Sequence, residues 1–345
     1  MQLTMQTVFL ANPTDQNLCE QLLASSPWGC ATATQFVQQA PGAPARLAME
    51  AWAVGGPRVI VERLADQATL VSYDGMRWLY ANTSRPRVPG QSCYRVTQEL
   101  FQQTGAQLRS AGMGWEQVVR TWWYLGDITG DEGGVERYQE LNRARAEAFA
   151  DIKFGGHNLS GYPASTGIGM NPGAGTTLTT MALQTERKDV RLVPLENPRQ
   201  TPAYDYARRY SQLSPRFSRA MALVTPDHIT TWLSGTASIV QSEVCHPDDV
   251  VAQTEETLDN IRALITAENF ARHGIAGAGA TLRDLAKVRV YVKRAEDFAA
   301  CRAVCARRLG PVPALYLQAE VCRPELLVEI EGVMFTRRLG DEEAG

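Results

Sequence analysis

Two pairs of segments in this chain can be laid over one another without a gap. "GWEQVVRTWWYL" at 114–125 sets against "TLRDLAKVRVYV" at 281–292, and "VERYQELNRARAEAF" at 135–149 against "AEDFAACRAVCARRL" at 295–309. Few residues are identical, so the match lies in the order and spacing of a strand-like run followed by an amphipathic helix. Around these segments each half reads helix–strand–helix–strand–strand. A duplicated unit of this kind predicts an α+β architecture, with helices packed on one face of a mixed sheet in each half.

The rest of the pattern fits that frame. Short runs rich in Val, Tyr and Trp between 46 and 82 read as strands separated by Gly, Pro and Asp. The spacing of Tyr94, Val96, Leu100, Phe101 and Leu108 predicts a helix over 94–113. "VRLVPLENPRQTPAYDY" carries three prolines and reads as a linker. It divides the chain into 1–195 and 196–345, the first 40 residues contributing little to either half. In the second half, "SRAMALVTPDHITTWLSGTASIV" reads as two strands around a Pro-Asp turn, and Val251, Thr254, Leu258, Ile261 and Leu264 mark one side of a helix.

Composition narrows the function. Among 345 residues 44% are hydrophobic, enough for packed cores, and the net charge of −3 has both signs interspersed. That balance argues against nucleic acid as partner, since a basic stripe is its usual footprint. No run of about 18 apolar residues suggests a membrane span. The N-terminus lacks a basic region and apolar run of the signal-peptide kind. Seven cysteines form no disulfide framework, so a reduced, cytoplasmic protein is expected. His157, His228, His246 and His273 are scattered, and no metal site is expected.

The chemistry-bearing stretch is "CRPELLVEIEG", 322–332. Its alternation places Glu329 and Glu331 on one face of a strand. A carboxyl between Val328 and Ile330 on a central strand suits a general acid, because burial raises its pKa. Glu331, two residues nearer the strand end, reads as a solvated strand glutamate. Opposite "LLVEIEG", the first half has "TTMALQT", with Ala182 and Gln184 at comparable places and no carboxylate. One acid per chain suggests one active site, between the halves. Arg145, Arg208, Arg209, Arg216 and Arg219 are candidate carboxylate ligands, through the planar guanidinium fork; Arg145 and Arg219 are preferred. Tyr204 and Tyr210 are candidate hydroxyl donors, and Thr166 and Gly167 in "STGIG" offer close approach to a ligand.

"SGTAS", "QTEETLDNI", "LRDLAKVRVYVKRAEDFAACRAV" and "PALYLQAEVCRPELLVEIEG", in that order, resemble the RidA/YjgF family. With "GYPASTGIG", "ENPRQTPAYDYARRYSQLSPRFSRA" and "SGTASIVQSE", the chain from about residue 45 onward resembles the chorismatases. The resemblance implies two RidA-like halves, chorismate as a small-molecule substrate, release of pyruvate and no cofactor. It implies that Glu329 protonates the enolpyruvyl methylene. Gly235 and Cys322 match positions that help set the product, and resemble the 3-hydroxybenzoate-forming subgroup. Hydrolysis to a dihydroxycyclohexadiene carboxylate, or conversion to 4-hydroxybenzoate, are the alternatives within the family. A RidA-like imine deaminase would want an arginine where Leu315 stands, and a metabolite-binding protein would have no use for a buried acid. RidA relatives trimerise, so the chain is expected to be a monomer or a trimer.

Overall fold

The computed structural model describes residues 1–26, 32–65, 67–154, 161–206 and 213–337. Its elements repeat one small motif three times. The first copy is β1 (Gln2–Leu10), α1 (Gln16–Ala24), β2 (Ala33–Val37) and β3 (Leu47–Val54). β2 pairs parallel to β1 after the helical crossover, and β3 pairs antiparallel on the other side. The second copy sits in a larger unit: β4 (Ile60–Ala65), β5 (Ala68–Tyr73), β6 (Met76–Arg85), α2 (Cys93–Ser110), β7 (Val118–Gly126), α3 (Arg137–Ala148), β8 (Ala164–Met170) and β9 (Thr176–Thr185). Here β7, β8 and β9 repeat the pairing of β1, β2 and β3.

The third copy follows β10 (Arg191–Leu195), β11 (Ala220–Val224), β12 (His228–Ala237), the short hairpin β13 (Ile239–Val240) and β14 (Glu243–Val244), α4 (Val250–Leu264) and α5 (Ala267–Arg272). It consists of β15 (Leu285–Val292), α6 (Phe298–Leu309), β16 (Ala314–Gln318) and β17 (Val328–Arg337), again with one parallel and one antiparallel partner for its first strand. The two large sheets run β4-β5-β6-β9-β7-β8 and β10-β11-β12-β17-β15-β16, and the small one β2-β1-β3. No helix among the described residues is long and apolar enough to cross a membrane.

The expected mixed α+β class is therefore what the chain adopts. Each large sheet carries a helix pair on one face. Leu258, Ile261 and Leu264 of α4 and Cys301, Val304 and Cys305 of α6 bury against β12, β15 and β17. Leu100 and Leu141 do the same against Trp123 and Leu125. The opposite faces of both sheets share one core with the small sheet, where Met5, Phe9, Trp78, Trp122, Trp232 and Tyr291 meet. A strand such as β17 is thus buried on both faces.

Three expectations are corrected by this arrangement. The first 40 residues are part of the fold: β1 and β2 build a third side of the shared core. The proline-rich stretch is not all linker, because Arg191–Leu195 pairs antiparallel with β11 at the sheet edge, where Pro194 is tolerated. Register also replaces the earlier comparison of β17 with Ala182 and Gln184. Tyr291 stands opposite Glu329, and its counterpart Tyr124 stands opposite Thr177. Arg289 stands opposite Glu331, and its counterpart Trp122 opposite Thr179. The true counterparts of the two glutamates are threonines, so the second copy still supplies no carboxylate there.

Candidate active site

β17 sorts its side chains by face. Val328 and Ile330 turn toward α4 and α6, and Glu329 and Glu331 turn between the sheets. Both carboxyls are only 4% exposed. Glu331 is therefore not the solvated glutamate its place in the sequence suggested. The helices take the apolar face, so the polar face of the strand is a buried inter-sheet face.

The two acids have opposite surroundings. Glu331 is saturated with donors: Arg120 Nη2 at 2.5 Å, Trp122 Nε1 at 2.9 Å, Arg289 Nη1 at 2.8 Å, the Tyr291 hydroxyl at 3.0 Å, and the Thr166 hydroxyl. Arg289 Nε also donates to Glu50 on β3 at 2.8 Å, and Lys287 Nζ to the same carboxylate at 2.7 Å. Burial alone would raise the Glu50 pKa, but Arg289 and Lys287 hold it at about 2. One charged network thus ties all three sheets together.

Glu329 receives no hydrogen bond or ion pair from any described residue. Burial, and then the neighbouring charge of Glu331, raise its pKa to about 8, with Arg120 and Arg219 pulling the other way. A pKa near 8 favours the protonated form of this carboxyl at neutral pH, and no described residue accepts its proton. It faces a cavity of about 240 Å³ between the two halves. Ser165 and Gly167 of β8 and Tyr138 and Asn142 of α3 form one wall; Gly235 of β12, Arg219 and Cys322 belong to the other.

Of the residues expected from sequence, Glu329, Gly167, Arg219, Gly235 and Cys322 line this cavity. Arg145 lies behind the wall. It reaches Ser165 Oγ at 3.4 Å and the Asn142 side chain, both at the surface of the cavity, and its Nε has no partner among the described residues. Burial draws its pKa down, with Tyr138 partly offsetting. Thr166 does not face the cavity: its hydroxyl accepts from Gly235 N at 3.0 Å and from Arg120 at 2.6 Å while donating to Glu331. Tyr204 packs on Tyr162 instead, ring centroids 5.6 Å apart. Tyr210, Arg208 and Arg209 fall outside the described residues, and Arg216 stacks over Tyr162.

Gly235 has a steric reason to be glycine. A methyl at its Cα would overlap Glu329 Oε1 and come within 2.8 Å of Cδ. The space opened by the missing side chain is occupied by the acid itself. Gly167 does the same for Tyr138, whose ring edge would lie 2.8 Å from a Cβ. The Cys322 thiol, raised to about 12 by burial and then by Glu329, is a neutral wall.

Three lining residues, Tyr138, Asn142 and Tyr206, and the buried Arg120 behind them were not read from sequence. Tyr138, Asn142 and Arg145 fall at i, i+4 and i+7 on α3, so helical spacing from Arg145 would have found the other two. Tyr206, which accepts from Arg219 Nη2 at 2.5 Å, ends the quoted "PAYDY". Arg120 is a lone charge in the otherwise apolar run "VVRTWWYL", a signal of a buried pair.

Comparisons with known proteins set the chain beside chorismatases. The family model described as chorismatase FkbO/Hyg5-like, N-terminal, matches residues 50–183. A chorismatase of Streptomyces rapamycinicus is 36% identical over 295 residues, covering 83% of this chain and 81% of that one. A 3-hydroxybenzoate synthase of Streptomyces hygroscopicus is 40% identical over 227 residues, and the match spans 64% of each chain. A crystal structure of a chorismatase, 27% identical, superposes with a TM-score of 0.76 over 96% of this chain and 93% of that one.

Proposed function

This chain belongs to the chorismatase family, and on that premise we propose that it cleaves chorismate to pyruvate and 3-hydroxybenzoate, with Glu329 as the acid. The observation that carries the reading is the buried Glu329 carboxyl, its pKa raised to about 8 and without a hydrogen-bond partner among the described residues, at the cavity between the halves. A vinyl ether is cleaved by adding a proton to its terminal methylene carbon, which leaves an oxocarbenium ion. That step needs a positioned acid in a site of low dielectric. The chorismate carboxylates pair with Arg219, and with Arg145 through the Ser165–Asn142 wall.

The ring hydroxyl next to the ether then attacks the ring carbon that carries the ether. That C–O bond breaks, and its electrons pass to the oxocarbenium oxygen to release pyruvate. Opening of the new C–O ring at its original carbon, with loss of that carbon's proton, leaves the aromatic product. The similarity to a 3-hydroxybenzoate synthase supports this branch, as does the Gly235–Cys322 pair beside the acid. Attack by water would give the dihydroxycyclohexadiene carboxylate instead. Incubation with chorismate tests both steps, with pyruvate followed enzymatically and the ring product by chromatography. Folded protein that releases no pyruvate would reject the enzyme; pyruvate with the diol as main product would reject the branch.

Gly235→Ala probes the seat of the acid. The methyl must push the Glu329 carboxyl aside, and displacements of about 1 Å cost up to roughly 10²-fold. The expected result is a 10- to 100-fold lower kcat, with a changed ratio of aromatic product to diol. An unchanged rate and ratio would show that the carboxyl acts from elsewhere.

We also read the chain as two RidA-like domains divided ahead of Arg191, since β10 pairs within the second sheet. The small N-terminal sheet closes the third side of the shared core, so we infer that the chain needs no further subunit there. A monomer is the expected mass by light scattering at micromolar concentration, and a trimer would contradict that role.

A further inference from the structure

We propose that Thr166, Arg120 and Glu331 are positioning residues that hold the backbone bulge on which the Glu329 carboxyl is seated. The inference rests on the reading of Glu329 as the acid. The pairing of β12 with β17 is regular up to Leu233, opposite Gly332, and resumes at Thr236, opposite Ile330. Between them Ser234 and Gly235 face the single residue Glu331. This is a bulge, and it presents the bare Cα of Gly235 to the Glu329 carboxyl.

A bulge leaves backbone groups without ladder partners, and here side chains supply them. Gly235 N donates to Thr166 Oγ1 at 3.0 Å, and Leu233 O accepts from Arg120 Nη2 at 3.2 Å. Ser234 Oγ donates to Ser218 O at 2.6 Å and accepts from Ser165 N at 2.9 Å. Thr166 and Arg120 both close on Glu331. β8 and β7 of the first half therefore clamp the β12 bulge of the second half, with Glu331 as the fixed point. Arg289, Tyr291 and Trp122 hold that point from β15 and β7. Thr166 and Arg120 lie outside the lining of the cavity, so they act through the bulge and not on the substrate.

The same placement has an electrostatic consequence. The groups facing Glu329 are Glu331 on its own strand, Arg120 from β7, Arg219 ahead of β11, Tyr138 from α3 and Cys322. Glu331 is the anion among them that favours the protonated acid. Neutralising it removes that support while Arg120 and Arg219 remain.

The test compares Thr166→Val, which keeps the shape but loses the hydroxyl, with Thr166→Ser, which restores it. Thr166→Val should lower kcat for pyruvate release about 10- to 100-fold with KM within threefold, and Thr166→Ser should recover most of the loss. The solvent deuterium isotope effect on kcat should rise in Thr166→Val, as carbon protonation becomes more limiting. Wild-type kcat in folded Thr166→Val, or a loss that falls on KM instead, would overturn the proposal. If the valine variant does not fold, Glu331→Gln decides: the alkaline limb of its kcat–pH profile should move to lower pH, and an unmoved limb overturns the proposal. Glu329→Gln run in parallel separates the two ideas. An active Glu329→Gln sinks the acid assignment, whereas an inactive one beside an unaffected Thr166→Val sinks only the positioning role.

Discussion

Replacing Glu329 by glutamine is expected to lower kcat for chorismate cleavage by about 10²- to 10⁴-fold, the usual contribution of a positioned acid. KM should change little, because the amide keeps the shape of the carboxyl and the arginines still pair with the substrate. The wild-type pH profile gives an independent reading. Catalysis needs the protonated form, and burial with the Glu331 charge places the pKa at about 8. Activity should therefore be present below about pH 8 and fall as pH rises through it. The stability effect runs the same way. An unfolded glutamate with its ordinary value of 4.5 releases the proton that the folded one keeps. Above pH 4.5 the unfolded state binds fewer protons, so this group's contribution to stability declines with pH until about 8. At pH 7 that amounts to about 3 kcal/mol at most, at 1.36 kcal/mol per pKa unit. Glu329→Gln removes the penalty, so the variant should unfold at a higher temperature than wild type at pH 7 and match it near pH 4.5. An inactive but more stable protein is the signature of a strained functional group. Near-normal turnover, or a kcat that rises with pH above 8, would refute the acid role.

The sequence made Glu329 visible for a reason that also hid Glu331. Alternation along "LLVEIEG" shows that two carboxyls share a face, but does not say what covers that face. In this fold the helices cover the other one, and the polar side is closed by a second sheet whose contribution comes from residues 120 to 166. No local pattern carries that information. Arg120 was legible as a lone charge in an apolar strand, and its partner lies 211 residues away in the chain. The duplicated halves were legible because the βαβ spacing survives in 114–149 and 281–309. The first copy was not, because α1 buries no side chain and so carries no core-facing residues to set against those of α3 and α6. Likewise "TTMALQT" suggested the right conclusion, a missing acid, from the wrong register; only the strand pairing shows that Thr177 stands where Glu329 does. Gly235 was read as a position that helps set the product. The space it opens is filled by the acid, a close approach that chain order alone does not reveal.

Arg219→Met is the second large effect. Arg219 is 3% exposed on the cavity wall. Its Nη2 donates to Thr201 O at 2.9 Å and to the Tyr206 oxygen at 2.5 Å, while Nε finds no partner among the described residues. Burial works against its charge, but Tyr206 and Glu196 hold its pKa above the ordinary value. A guanidinium kept charged and incompletely paired in a closed site suits a carboxylate ligand. Removing one partner of a buried charge pair costs about 2–5 kcal/mol, so kcat/KM should fall by roughly 30-fold to several thousand-fold. Because the carboxylate is held equally in substrate and transition state, most of the loss should appear in KM. Arg219→Lys keeps the charge but not the planar fork, and should fall between methionine and wild type. A second readout separates binding from general disruption. Arg219 is one of the two cations that hold the Glu329 pKa down. Without it the carboxyl binds its proton more tightly, so the alkaline limb of the kcat profile should move to higher pH in Arg219→Met. A KM within threefold of wild type, or an alkaline limb that stays in place, would remove Arg219 from the substrate site.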